Sequence, residues 1–113
     1  MKDNLLIASN IKKMINYFDK IIINFPRNEY ILKAKILKNS YEILELVYFT
    51  NELNPKDRII YQKKIISKIK MIDYYFKIGL DKKYISYKKY VKVGNCLSNS
   101  IKSLYGWIKY ETI

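Results

Sequence analysis

Histidine is absent from this sequence of 113 residues, and cysteine occurs once, as Cys96. Without an imidazole there is no neutral-pH base or orienter of the usual kind, so Ser–His and Cys–His mechanisms are excluded. One cysteine cannot build a structural zinc site on its own, and a carboxylate-only site would select hard cations. A disulfide within the chain is also impossible, which fits a reducing, cytoplasmic setting. The 3 glycines and 2 prolines leave few breakers, against a loop-rich or many-stranded fold. No apolar run approaches the ~18 residues of a membrane span, so no membrane partner is expected. Met1-Lys2-Asp3-Asn4, followed by Leu5-Leu6-Ile7-Ala8, lacks the apolar core of a secretory signal. Acids are scarce too: 10 Asp and Glu stand against 22 Lys and Arg, a net charge of +12.

Half of the residues are hydrophobic, enough for one compact domain spanning 1–113. Twelve tyrosines, with abundant Lys, Ile and Asn, match an A+T-rich coding sequence and carry no functional reading by themselves. Apolar residues recur at three- and four-residue steps in four segments. The first, about 3–24, carries Ile7, Ile11, Met14, Phe18 and Ile21, widened by Ile15 and Ile22, with Phe25 just beyond. Pro26 in Phe25-Pro26-Arg27-Asn28 ends it. The second, about 28–53, carries Leu32, Ile36, Ile43 and Val47. In Asn54-Pro55-Lys56-Asp57, Asn54 caps, Pro55 suits the first helical position and Asp57 complements the dipole. The third helix, about 55–80, buries Ile65, Ile69, Ile72 and Phe76, and Gly79 and the Asp81-Lys82-Lys83 run mark its end. Ser86 caps the fourth, about 86–110, whose seam reads Tyr87, Tyr90, Gly94, Leu97, Ile101, Leu104 and Ile108. A mid-helix glycine costs about 1 kcal/mol relative to alanine, so Gly94 is expected to meet a closely packed ring or backbone. Short links between long helices predict an all-α, antiparallel up-down-up-down four-helix bundle. Helical hairpins that complete a core only on oligomerising are the alternative, with Tyr48, Phe49, Tyr74, Tyr75 and Trp107 as interface aromatics.

A basic surface of this strength concentrates phosphates around the molecule. From Lys82 to Tyr110 there are lysines at 82, 83, 88, 89, 92, 102 and 109 and no acid. On the third helix Lys63, Lys70 and Lys77 recur at seven-residue steps, and Lys64 and Lys68 form an (i, i+4) pair on an adjacent strip. Arg27, Lys33, Lys35 and Lys38 form a second group at the start of helix two. Such stripes can track a phosphate backbone; the competing reading is a face kept solvated by like charge. The nucleic-acid candidates are therefore Lys63, Lys64, Lys68, Lys70, Lys77, Lys83, Lys88, Lys89, Lys92, Arg27, Lys35 and Lys38. Tyr84, Tyr87 and Tyr90 lie among lysines and could stack on unpaired bases, or pack core edges instead. Trp107 caps the bundle end or joins subunits. Glu42 and Glu45 have diiron spacing, but those sites need Glu-x-x-His pairs, so they are read as solvent-facing or as lysine partners.

Phe25-Pro26-Arg27 opening a helix, with Ile43-Leu44-Glu45-Leu46 inside it, resembles the second helix of a group of bacterial four-helix-bundle proteins. The group includes proteins encoded in intervening sequences of 23S ribosomal RNA genes. It also includes the accessory variability determinant of diversity-generating retroelements. Ile69 to Phe76, then Lys82-Lys83-Tyr84-Ile85-Ser86, is similar to the group's third helix and following link. Tyr105-Gly106-Trp107-Ile108-Lys109 looks like its terminal Gly-Trp-Ile-Lys. The elements are short, but their order and spacing agree over roughly residues 10–110. The chain departs where it has Lys88, Lys89 and Lys92 in place of an acidic start to helix four, and Gly94 in place of a larger residue. The resemblance implies a non-enzymatic, cofactor-free, ring-like homopentamer that binds a reverse transcriptase and its template RNA, including RNA/DNA hybrid, in mutagenic cDNA synthesis. The intervening-sequence relatives imply instead a stand-alone bundle with protein partners. The charge of +12 favours the retroelement accessory.

Overall fold

The computed structural model describes residues 6–112, with side chains through Lys109. Four helices, α1 (Leu6–Ile22), α2 (Tyr30–Asn51), α3 (Pro55–Asp81) and α4 (Tyr87–Thr112), make up nearly all of it. The expected start of the first helix at Asp3 lies outside the described residues. Each helix packs on its sequence neighbours and α4 also packs on α1, while the diagonal helices α1 and α3 meet through core side chains, Phe18 against Phe76. The four therefore surround one core in a body of 44 × 23 × 23 Å, whose length matches the ~40 Å of a 27-residue helix such as α3. No described helix is long and apolar enough to cross a membrane.

The apolar stripes of the first three helices are the buried ones. Ile7, Ile11, Met14, Ile15, Phe18, Ile21 and Ile22 of α1 are buried, as are Leu32, Ile36, Ile43 and Val47 of α2 and Ile65, Ile69, Ile72 and Phe76 of α3. Pro26 does end α1, and the chain re-enters through a 3-10 turn at Arg27–Glu29 before α2 begins at Tyr30. Pro55 takes the first position of α3 and Asp57 its first turn, but Asn54 makes no side-chain cap. Arg58 caps this corner instead. Its Nε donates to the Leu53 carbonyl and its Nη2 to that of Asn51, both at 2.9 Å, satisfying the free end of α2. The same guanidinium lies 5.8 Å from the Trp107 ring centre, tying the end of α4 to this corner.

Of the two signals at the end of α3, the Asp81-Lys82-Lys83 run holds the terminus and Gly79 lies inside the helix. The helix runs on to Asp81, and the residue that reverses the chain is Lys83, at φ 64°. The Tyr84 amide donates to the Gly79 carbonyl at 2.8 Å and the Lys83 amide to that of Leu80 at 3.0 Å, the Schellman arrangement with lysine in the place usually held by glycine. Gly79 serves packing: a Cβ there would lie 3.0 Å from Phe25 Cζ. The Phe25 ring in turn packs on Phe76 and Tyr84, with centres 6.4 and 5.5 Å away.

Ser86 caps α4 as expected, its Oγ accepting from the Lys89 amide at 3.1 Å. The seam of α4 is rotated from the expected one. Val93, Leu97, Ser100 and Leu104 are buried, whereas Tyr87 is exposed and Tyr90, Gly94, Ile101 and Ile108 are half-buried. Ser100 makes this roll possible. Its hydroxyl donates to the Cys96 carbonyl at 3.0 Å and lies 3.8 Å from the Met14 sulfur, so a small polar group sits buried with its bond made. With the helix rolled, nothing lies within 4 Å of a Cβ built on Gly94, and no ring covers it.

The glycines thus separate. Replacing Gly94 by Ala should stabilise the fold by about 1 kcal/mol through helix propensity alone. Gly79→Leu should cost about 2 kcal/mol by overpacking against Phe25. Lys83→Gly should add about 1 kcal/mol by relieving the left-handed conformation. Urea unfolding of the three variants checks all three signs.

Candidate nucleic-acid interface

The carboxylates are not scattered around the bundle. Glu29, Glu42, Glu45 and Glu52 belong to α2 and the turns at its two ends, and Asp57 to the first turn of α3. Asp19 stands seven residues after Lys12, whose amine lies 5.5 Å from the Tyr48 ring of α2, so Asp19 is also on the α2 side of α1. Asp73 and Asp81 are on α3. From Tyr87 to Lys109, α4 carries none. The excess positive charge is therefore least compensated along α4, where Lys88, Lys89, Lys92 and Lys102 are all exposed.

Two grooves flank α4. In the one shared with α3, Lys70 and Lys77 line depressions of about 200 and 310 Å³, with Gly94 and Ser98 or with Tyr87 and Val91. Lys63 continues the line by its seven-residue step and is exposed. This stripe is interrupted by acid. Lys77 Nζ is 3.0 Å from Asp81, and Asp73, between Lys70 and Lys77, accepts from the Tyr90 hydroxyl at 3.1 Å. Burial first, and Asp73 second, push the Tyr90 phenol above its ordinary range.

The groove shared with α1 has no such interruption. Asn10, Lys13, Met14, Tyr17, Cys96, Asn99 and Ser100 line a cavity of about 320 Å³. Asn10 Nδ2 donates to the Ser103 hydroxyl at 2.8 Å across the two helices. Lys20 follows Lys13 by seven residues on α1, and Lys92 and Lys89 precede Cys96 by four and seven on α4, so helical spacing extends the line of lysines along this groove. Burial pushes the Cys96 thiol up, keeping it protonated near neutral pH, and raises the Tyr17 phenol as well.

No protein-family model, curated protein or solved structure matches this chain.

The remaining candidates divide by helix. Lys64 and Lys68 point to the α2 side of α3: Lys68 Nζ bonds Glu42 at 2.8 Å and Lys64 lies 5.3 Å from the Tyr61 ring centre. Lys38 is 4.0 Å from the other Glu42 oxygen. Glu42 is thus a lysine partner, and its carboxyl is held below the usual range chiefly by Lys68. Lys35 is exposed on α2, and Arg27 is exposed in the turn that leads into it, two residues before Glu29. Lys83 sits in the link before α4, in the turn it makes. Of the tyrosines, Tyr84 and Tyr90 spend their hydroxyls on Glu29 and Asp73, whereas Tyr87 is 73% exposed. Tyr48 and Trp107 are half-buried beneath Lys12 and Arg58, and Phe49 is exposed against Tyr61. Among the described residues no three His, Cys, Asp or Glu side chains are placed to hold a metal ion. Lys13 and Lys20 are not visible as site residues in the sequence. On an amphipathic helix they look like solvating residues, and only the packing of α1 on α4 gives them neighbours.

At the end of the bundle nearest the start of α4, Glu29 accepts from the Tyr84 hydroxyl at 2.8 Å and from Lys82 at 3.3 Å. These two bonds hold the Glu29 carboxyl below its ordinary 4.5, and the first holds Tyr84 above its ordinary 10.0. The unfolded chain binds the Glu29 proton more readily, so this stabilisation is full above about pH 4.5 and is lost as pH falls through the folded value. Tyr84 works in the opposite sense: its contribution is full below about pH 10 and is lost as the phenol ionises above its raised value. Glu29→Gln should therefore make the acid-side loss of stability shallower without abolishing it, since the Glu42 carboxyl is lowered too, in urea unfolding followed from neutral pH down to about pH 3.

Proposed function

We propose that this chain is a non-enzymatic RNA-binding bundle of the accessory-variability-determinant type. RNA, or an RNA/DNA hybrid, lies along the α4 side, a reverse transcriptase is the protein partner, and the working form is a cytoplasmic homo-oligomer. The observation that carries the nucleic-acid part is the segregation of charge. Lys88, Lys89, Lys92 and Lys102 stand on a stretch of helix with no acid, between two grooves whose other walls add Lys13 and Lys70. Polyphosphate binding needs lysines whose charge is not already spent inside the protein. The polymerase partner, and a pentameric ring, rest on the resemblance to the retroelement accessory proteins. Contacts in opposite running order support an up-down-up-down course: Asn10 with Ser103 and Met14 with Ser100, then Glu42 with Lys68 and Phe49 with Tyr61.

A stand-alone bundle with protein partners is the second reading. It is favoured by the internal pairing of Lys38, Lys68, Lys77 and Lys82, which removes part of the excess charge. Fluorescence anisotropy with a labelled RNA across a salt series separates the two. The RNA-binding reading expects binding at ~0.15 M salt that weakens steeply as salt rises, with a log–log slope of about −0.7 for each phosphate neutralised on a single strand. Lys88→Glu with Lys92→Glu should abolish binding at that salt, while Lys35→Glu with Lys64→Glu, on the α2 side, should leave most of it. Absence of binding by the unaltered chain would sink the reading, and light scattering on the same sample reports the subunit number.

A further inference from the structure

We infer that the groove between α1 and α4 is a seat for an unpaired nucleobase, so that the bundle takes single-stranded in preference to duplex RNA. The inference rests on the RNA-binding reading and deepens it. The cavity of about 320 Å³ has an apolar floor of Met14, which is buried, and Cys96, which is half-buried, with the Tyr17 ring in its wall. Its rim is polar: the side-chain amides of Asn10 and Asn99, and Lys13. A base offers the matching surfaces, a flat apolar face and an edge of donors and acceptors that asparagine amides read well. The Asn10 amide is held by its 2.8 Å bond to Ser103, which leaves its carbonyl oxygen to accept from a base, while Asn99 is exposed and offers both donor and acceptor.

The surroundings favour a strand over an isolated small molecule. By helical spacing lysines continue beyond the cavity, at Lys20 on α1 and at Lys92 on α4, and no carboxylate lines the cavity itself. The groove on the other side of α4 has lysines too, but Asp73 lines both of its depressions and would face the backbone of any strand laid there. In a duplex each base has its faces stacked and its edge paired, so it cannot offer both to the cavity. A single base can.

Because Cys96 is the only cysteine in the chain, its alkylation reads occupancy of this cavity directly. The full chain would be treated with a small maleimide at mildly alkaline pH, alone, with a short single-stranded oligoribonucleotide, and with the same sequence in duplex form. The inference expects single strands to slow labelling at least about fivefold, in keeping with the contribution of one stacked base, and duplex at equal occupancy to leave it unchanged. Asn99→Ala, at an exposed position outside the core, should weaken single-strand binding while leaving duplex affinity and the helical circular dichroism as they were. Equal affinity for both forms, with Cys96 labelled at its free rate in each complex, would overturn the inference and leave RNA binding standing. Failure of both forms to bind would overturn the two together.

Discussion

The bundle is organised around a phenyl ring lying against a glycine. Phe25 leaves the end of α1 and lays its edge where any side chain at position 79 would stand, 3.0 Å from the Cβ that glycine lacks. That approach brings the link between α1 and α2 down onto the last turns of α3. The ring then contacts Phe76 below and Tyr84 beside it, while Phe18 packs on Phe76 with centres 4.7 Å apart. Tyr84 sits in the link that leads into α4, and its hydroxyl reaches back to Glu29 at the entry to α2. One close approach therefore fastens both links at this end, and the direction in which α4 departs follows from it. Ser86, two residues on, starts the helix from that fixed point. The basic face depends on a core packing interaction that carries no charge.

The parts of this arrangement that are legible in the sequence are those decided within one helix. Ile11, Met14 and Phe18 recur at the helical period with lysines between them, and no partner is needed to see which way they point. Pro26, Pro55 and Ser86 act on backbone groups a few residues away, and all three stand at the boundaries they predict. What is not legible depends on a neighbour. Ser100 and Ile101 compete for one place in the core of α4, and apolarity alone selects Ile101. Ser100 wins because its hydroxyl is satisfied by its own helix and its small size admits Met14. The two glycines exchange roles for the same reason, since only the position of Phe25 shows that Gly79 is crowded and Gly94 is not.

The candidate interface divides along the same line. The acid-free run of α4 can be counted directly. That Lys68 is spent on Glu42, 26 residues away in sequence, cannot. Nor can the joining of Lys13 to Asn99 and Cys96 in one groove. Composition sets the total charge and the tertiary structure sorts it: Lys38 and Lys68 meet Glu42 and Lys77 meets Asp81, while α4 from Tyr87 to Lys109 brings lysines and no carboxylate of its own.

That unanswered charge is costly where it stands. Lys88 and Lys89 occupy the first turn of α4 with no acid in that turn, so each opposes the helix dipole by roughly 0.3–1 kcal/mol. Lys88 and Lys92 are like charges one turn apart, which adds to the penalty. The start of α3 shows the ordinary solution, with Asp57 in its first turn. A chain that caps α4 with Ser86 and yet fills its opening turn with lysines breaks one local rule beside another that it keeps. Such a conflict is relieved by an external anion, because free amides at a helix start and nearby ammonium groups all favour negative charge there. A phosphate at that point would supply what Asp57 supplies to α3, and a phosphate chain would extend the same relief along Lys92 and both grooves. On the proposed reading, a polyanion along this face would offset the cost that the opening turn of α4 carries alone.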